Sequence, residues 1–234
     1  MSMVVSLASD CSIRYTTGMR HIGQQTLPSI SHHGDIYTIH DIRDYTRYSE
    51  DAPKEQYISA DIPLWNITGC RIYQSTFGYS KHVFMLAHCM VWFLYKNAQW
   101  EQQEVIFSIE ARRPAGESYK LRKWVIPWMY KSMYTWGTPS DLLSLRKHVW
   151  HDPLESYDLT LSAKQTQDLF VFYAHRTNNA HHENKWYNAI RHNCLSDLHR
   201  GIAYSTKKLS AWTIRSVFST WYISHLKRKG LIQS

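Results

Sequence analysis

Cysteine is scarce in this chain. Four occur in 234 residues, Cys11, Cys70, Cys89 and Cys194, and no two form a C-x-x-C pair. That spacing argues against a zinc ribbon or a thioredoxin-type motif, and so few thiols do not make a disulfide scaffold; one or two structural disulfides stay open. Long apolar runs are missing too. The longest, Val83 to Tyr95, is interrupted by His88, and it falls short of the ~20 residues that a membrane-spanning helix needs. Met1 to Asp10 has neither the basic start nor the extended apolar stretch of a secretory leader. The expectation is therefore a soluble or peripherally bound chain. Acidic residues are outnumbered, 19 against 27 Lys and Arg, for a net charge of +8. An excess of that sign favours anionic partners, either phospholipid head groups or nucleic acid. Nucleic acid is the less favoured, since no nucleic-acid motif is present and the charge is spread rather than clustered. Repeats, low-complexity segments and cofactor-binding motifs are also lacking, and the oligomeric state is not legible.

Hydrophobic residues supply 44% of the chain, enough for a real core, and ten Trp and sixteen Tyr are unusually many. They imply an aromatic-rich core or a surface that meets an amphipathic partner. Residues 1–33 are polar and mixed and read as a loosely ordered arm, ahead of one domain over 34–234. Asp35–Tyr45, Tyr57–Ile62 and Gly69–Gln74 read as strands, being rich in β-branched and aromatic residues. Val83–Tyr95 and Val105–Arg112 read as a hairpin closed by the polar loop Lys96–Glu104. Helices are expected over Ser140–Val149, over Ala163 to about His175 behind Ser162, and over Ala211–Lys229 before Gly230. A short strand is expected at Leu159–Leu161.

The most informative feature is Asn193-Cys194. Leu195, Leu198 and Ile202 follow at helical spacing, and Asn193 is a good N-cap residue. A cysteine on the first turn of a helix meets unpaired N–H groups and the positive end of the dipole, which favour the nucleophilic thiolate. His192 and Arg191 add nearby positive charge in this reading. The bland alternative is a buried apolar filler, the usual role of free cysteine. Along the hairpin, alternation puts His88, Met90 and Trp92 on one face and Ser108, Glu110 and Arg112 on one face of the partner strand. Pairing about the loop brings Glu110 or a neighbour near His88, although a one-residue slip would reverse it. His88 as a structural core histidine, and Glu110 with Arg112 as a buried salt bridge, are the structural alternatives. His181-His182-Glu183 lacks H-E-x-x-H spacing, so no metal is expected. In Tyr119–Trp136, lysines and arginines interleave with Trp and Tyr. That stretch is either a half-buried segment with solvated cations or a membrane-interface anchor.

Histidine before cysteine, with Asn-Cys opening a late helix, is similar to circularly permuted papain-like folds such as those of lecithin:retinol acyltransferase-like enzymes. Residues from Gly34 to about Ile232 more specifically resemble the Lnb N-terminal periplasmic domain family of bacterial lipoprotein N-acyltransferase-like proteins. The stretches that carry the match are Ile39–Tyr45 with Tyr48–Asp51, Ala87-His88-Cys89-Met90-Val91-Trp92-Phe93, Ser108-Ile109-Glu110-Ala111-Arg112-Arg113-Pro114-Ala115-Gly116-Glu117-Ser118-Tyr119, Asp141–Arg146, and Tyr187–Leu198. Cys89 and His40-Asp41 depart from the family pattern.

The resemblance implies an α+β, circularly permuted papain/NlpC-like domain, with an antiparallel sheet packed against helices. It also implies a thiol acyltransferase at the periplasmic side of a bacterial envelope. In that reading Cys194 is the nucleophile, His88 its general base and acid, and Glu110 the group that orients the imidazole. Asn193, Arg112 and Tyr119 are supporting residues. The donor would be a phospholipid and the acceptor an amine such as a lipoprotein N-terminus. A cysteine hydrolase (amidase, peptidase or phospholipase) on the same residues, or a non-catalytic module for anionic surfaces, are the competing expectations.

Overall fold

The computed structural model describes residues 24–45, 56–76, 87–113, 130–149, 151–183, 185–188 and 190–233. Alternating β-branched and aromatic residues build strands β1 Ser29–His33, β2 Ile36–Arg43, β3 Tyr57–Pro63, β4 Ile67–Thr76, β5 Ala87–Lys96, β6 Gln102–Arg112, β7 Lys131–Gly137 and β8 Leu154–Asp158. They form one eight-stranded sheet in the order β1-β2-β7-β6-β5-β4-β8, with β3 also paired to β2. The sheet is mixed rather than purely antiparallel, because β2 meets β7 in parallel at Arg43↔Gly137. Helices α1 Pro139–Ser144, α2 Ala163–Asn179, α3 Cys194–Thr206 and α4 Ser219–Arg228 complete an α+β architecture.

The period-two alternation of the central strands decides where the core lies. Cys89, Val91 and Phe93 of β5, Phe107 and Ile109 of β6 and Trp136 of β7 turn to one face, where they join Phe170 and Tyr173 of α2, Leu198 and Ile202 of α3, and Tyr222 and Leu226 of α4. Aromatic rings dominate this core: Phe107 stacks on Tyr173 at a centroid distance of 4.1 Å, and Phe93 meets Phe170 edge-on at 5.3 Å. Burial of such rings is the main source of stability here. The opposite face carries a smaller cluster, Met90, Trp92 and Ile106 under Leu142 of α1. Helices α2 and α3 approach closely at Gly201, where a Cβ would lie 2.6 Å from the Tyr173 hydroxyl.

Several elements differ from the sequence expectation, each for a local reason. The stretch read as a loosely ordered arm contains β1, held by paired bonds between Ile30 and the Asn178 side chain at 2.8 and 2.6 Å; residues 1–23 lie outside the described residues. The last strand is Leu154–Asp158, not Leu159–Leu161. It is an exposed edge with little apolar alternation, and Leu159 leaves the ladder to pair with Ile232. The hairpin loop is shorter than expected, with the Asn97 side chain accepting from the N–H groups of Gln99 and Glu101. The helix expected over Ser140–Val149 starts at Pro139 behind a Thr138 cap and widens into a π-helical turn, Leu145–Val149. The final helix is divided. A 3-10 turn, Ile214–Val217, precedes α4, and Phe218 between them is extended at φ −118° and ψ 117°. Gly230, at φ +65°, closes α4 and lets the Leu231 N–H return to the Leu226 carbonyl at 3.0 Å.

Candidate active site

The thiol of Cys194 is placed by the start of α3. Asn193 caps the helix, its side chain accepting from the Ser196 N–H at 2.7 Å while the Ser196 hydroxyl accepts from the Asn193 N–H at 2.9 Å. This reciprocal box fixes the first turn. Asp197 in the same turn is buried and bonded to Arg176 of α2 at 2.6 Å. The helix start is thereby tied to its neighbour as well as to its own cap.

His88 and Glu110 come from the central hairpin. The β5–β6 ladder includes Val91↔Phe107, and the same register continued along both strands puts 88 opposite 110. The Ser108 hydroxyl donates to Glu110 Oε1 at 2.8 Å. Its lone pair therefore accepts from His88 Nε2, 2.7 Å away. Nε2 also lies 3.2 Å from Glu110 Oε1. With Nε2 committed to this pair, Nδ1 is the nitrogen left for Cys194, with which the imidazole shares a hydrogen bond. The main-chain N–H of Cys89 donates to Cys194 Sγ at 3.4 Å. Thiol, imidazole, hydroxyl and carboxylate thus stand in one hydrogen-bonded series.

The electrostatics of the series favour charge separation. Burial and the Arg146 guanidinium push the His88 imidazolium down, but Glu110 and Cys194 outweigh them and lift it from 6.5 to about 9. Burial works against the Cys194 thiolate as well. The charge and hydrogen bond of His88, with the Cys89 N–H, overcome that penalty and hold the thiol below its ordinary value. Burial raises Glu110 too, yet His88, Arg146 and Ser108 bring it well below the ordinary carboxylate range. The other two described thiols behave oppositely. Burial pushes Cys70 up to about 12 and Cys89 well above its ordinary value.

The structure therefore brings together Cys194, His88, Glu110 and, through the cap, Asn193. Arg112 is engaged elsewhere, donating to the Gln24 and Gln25 carbonyls at 3.0 and 2.9 Å. The cation beside Glu110 is instead Arg146, 3.7 Å from Oε1 and 3.8 Å from Asp152, which accepts from Ser75 at 2.8 Å. Tyr119 and Cys11 lie outside the described residues. His192 adds no positive charge to the thiol at neutral pH. Burial, followed by Arg176 and Arg200, depresses it to about 4. Of the His-His-Glu run, His181 bonds the Pro28 carbonyl at 2.8 Å and Glu183 pairs with Lys185 at 2.5 Å. Sequence reasoning did not single out Arg146 and gave Ser108 no role beyond its place on the Glu110 face. The spacing of Ser108 and Glu110 on one strand face was the available signal for the serine; none in the sequence pointed from Arg146 to Glu110.

Fold and site define an α+β domain with a buried thiol and imidazole and a half-buried carboxylate in series. The chain belongs to the Lnb N-terminal periplasmic domain family, whose sequence model matches residues 66–223. That span includes His88, Ser108, Glu110, Arg146 and Cys194. No curated protein and no solved structure matches the chain. Among the described residues, no helix is long and apolar enough to cross a membrane.

Proposed function

We propose that this chain is a thiol-dependent acyltransferase on a circularly permuted papain-like scaffold, working at the periplasmic side of a bacterial envelope. The observation that carries the reading is the series Cys194–His88–Ser108–Glu110, with the thiol depressed and the imidazole raised. A packed structural cysteine has no use for such a partner; a nucleophile does.

The chemistry follows from these positions. The Cys194 thiolate attacks the ester carbonyl of a phospholipid acyl chain, forming a carbon–sulfur bond. The main-chain N–H of Cys194, in a helical turn that offers it no intrahelical acceptor, donates to the carbonyl oxygen as it gains charge. The tetrahedral intermediate collapses with cleavage of the ester C–O bond. The His88 imidazolium gives its Nδ1 proton to the leaving alkoxide, which departs as the lysophospholipid hydroxyl. An amine, such as a lipoprotein N-terminus, then attacks the thioester and loses a proton to His88. Carbon–sulfur cleavage restores the thiolate–imidazolium pair. Glu110 and Ser108 hold the ring and stabilise its charge throughout.

Intact-mass spectrometry after incubation with a diacyl phospholipid and no amine tests this. The expected result is one acyl group on Cys194, discharged by an amine-terminated lipopeptide and absent in Cys194→Ala and His88→Ala. A protein that stays unacylated, or an adduct that persists in Cys194→Ala, contradicts the proposal. Release of free fatty acid with the lipopeptide left unmodified makes water the acceptor and the protein a cysteine hydrolase.

A further inference from the structure

Between Leu198 and Ser234 the chain contains Arg200, Lys207, Lys208, Arg215, Lys227, Arg228 and Lys229 and no acidic residue. Most of the chain's net +8 therefore lies in this segment, so the excess charge is clustered at 198–234 and not spread along the chain as its sequence suggests. The same segment exposes side chains that would ordinarily be buried. Tyr204 is 48% exposed, Trp212 47%, Ile214 53% and Trp221 50%. Three of these four fall within the short stretch 212–221, and Phe218 packs edge-on against Trp221 at a centroid distance of 4.8 Å. Lys207 reaches over the Tyr204 ring, with Nζ 4.3 Å from its centroid.

This outer surface is anchored from within. His199 Nε2 of α3 donates to the Ser210 carbonyl at 2.8 Å, and its ring meets that of buried Tyr222 edge-on. Helix α4 packs on β5, the strand that carries His88 and Cys89. The aromatic and cationic residues are thus held on the outside of the helical layer whose α3 begins at Cys194, a layer that packs on the sheet face opposite Met90, Trp92 and Ile106.

We propose that this surface, centred on Trp212, Ile214 and Trp221 and rimmed by Lys208, Arg215 and Arg228, docks on an anionic phospholipid bilayer. Trp and Tyr are amphipathic and settle at the headgroup level, while Lys and Arg are drawn to the negative surface and screened by salt. A protein partner of ordinary composition would meet a segment that supplies seven cations and no carboxylate for its own lysines. An anionic bilayer matches both the charge and the apolar tips. The inference rests on the acyl-transfer reading only for its purpose, recruitment of the protein to the phase that holds the acyl donor; the docking itself is argued from the surface alone.

Sedimentation of the full chain with vesicles tests it. Vesicles of equal parts phosphatidylglycerol and phosphatidylcholine should bind the protein, with a blue shift of Trp fluorescence, and pure phosphatidylcholine should bind it far less. The pair Lys208→Glu and Arg215→Glu should weaken binding about ten-fold or more. The pair Trp212→Ala and Trp221→Ala should weaken it by a similar factor without altering the circular dichroism spectrum. Cys194→Ala should bind like the parent, which separates docking from chemistry. Absence of binding to anionic vesicles, or binding indifferent to both surface pairs, overturns the proposal. In that case Cys194 acylation by a water-soluble ester would still stand or fall on its own. Capture of a duplex oligonucleotide by the parent, lost in the same charge variants while vesicles are ignored, would assign the surface to nucleic acid instead.

Discussion

Glu110 sets the charge state of the site. Its carboxylate touches Ser108 and His88, and its own ionisation is secured by His88 and Arg146. Replacing it by Gln removes a negative charge from beside a buried imidazolium while leaving Arg146 in place. In Glu110→Gln the His88 pKa should fall from about 9, and the thiol should rise as its imidazolium partner is lost. Acyl transfer should drop by about a hundred-fold, within the range for a positioned acid–base group. Stability should fall by about 1–3 kcal/mol as the Arg146 guanidinium keeps Asp152 but loses the charge of Glu110. Comparing rate–pH profiles with denaturant midpoints separates the two effects: a purely structural Glu110 would move the midpoint and leave the profile alone. The relation of His88 to Glu110 was legible in sequence, because a hairpin's register follows from its loop and a strand's side chains alternate. Arg146 was not, because it reaches Glu110 from a π-helical turn that no periodicity announces.

At the scale of the element, the start of α3 does two jobs that can be pulled apart. Asn193→Ala removes the cap and should cost about 1 kcal/mol. Asn193→Asp keeps an acceptor for the Ser196 N–H and should hold most of that stability. It also puts a carboxylate next to the thiolate, so Cys194 should alkylate more slowly at neutral pH. Equal thiol reactivity in parent and Asn193→Asp would show that local charge at the cap does not govern the nucleophile. Elements differ in legibility for physical reasons. Leu195, Leu198 and Ile202 repeat behind a cap residue, and α3 spans Cys194–Thr206 in the structure. The division of the last helix at Phe218 was invisible, because nothing in Ala211–Lys229 except tertiary contact forbids one continuous helix. The edge strand β8 was misplaced because an exposed edge has no apolar alternation to read.

At the scale of the whole molecule, pH acts through a few buried groups. His192 has its folded pKa depressed to about 4 from 6.5. Its contribution to stability is present above 6.5 and lost as pH falls toward 4. Glu110, depressed from 4.5, contributes above 4.5 and loses that contribution as pH falls further. His88, raised from 6.5 to about 9, contributes fully below 6.5 and loses that contribution as pH climbs to about 9. Cys194, held below its ordinary 9.0, works in the opposite direction: its contribution is lost as pH falls through its folded value and is fully present above 9.0. The last two shifts move one proton from sulfur to nitrogen, so between 6.5 and 9 they largely cancel. The melting temperature should therefore fall below pH 6.5 and stay nearly level above it. In Cys194→Ala the imidazolium loses the thiolate that helps to raise it, so the His88 pKa should fall from about 9. An unchanged His88 pKa in that variant, read by NMR titration, would show that the two groups do not share a proton.

The thiolate–imidazolium pair is tested most directly by the rate of alkylation of Cys194 against pH, followed by peptide mapping in the parent and in His88→Ala. Cys194 should be modified at neutral pH while Cys70 and Cys89 stay unmodified in the folded protein, and the inflection below 9.0 should move upward in His88→Ala. A Cys194 that titrates at its ordinary value, or alkylates no faster than the two buried thiols and with no response to His88, would contradict that pairing.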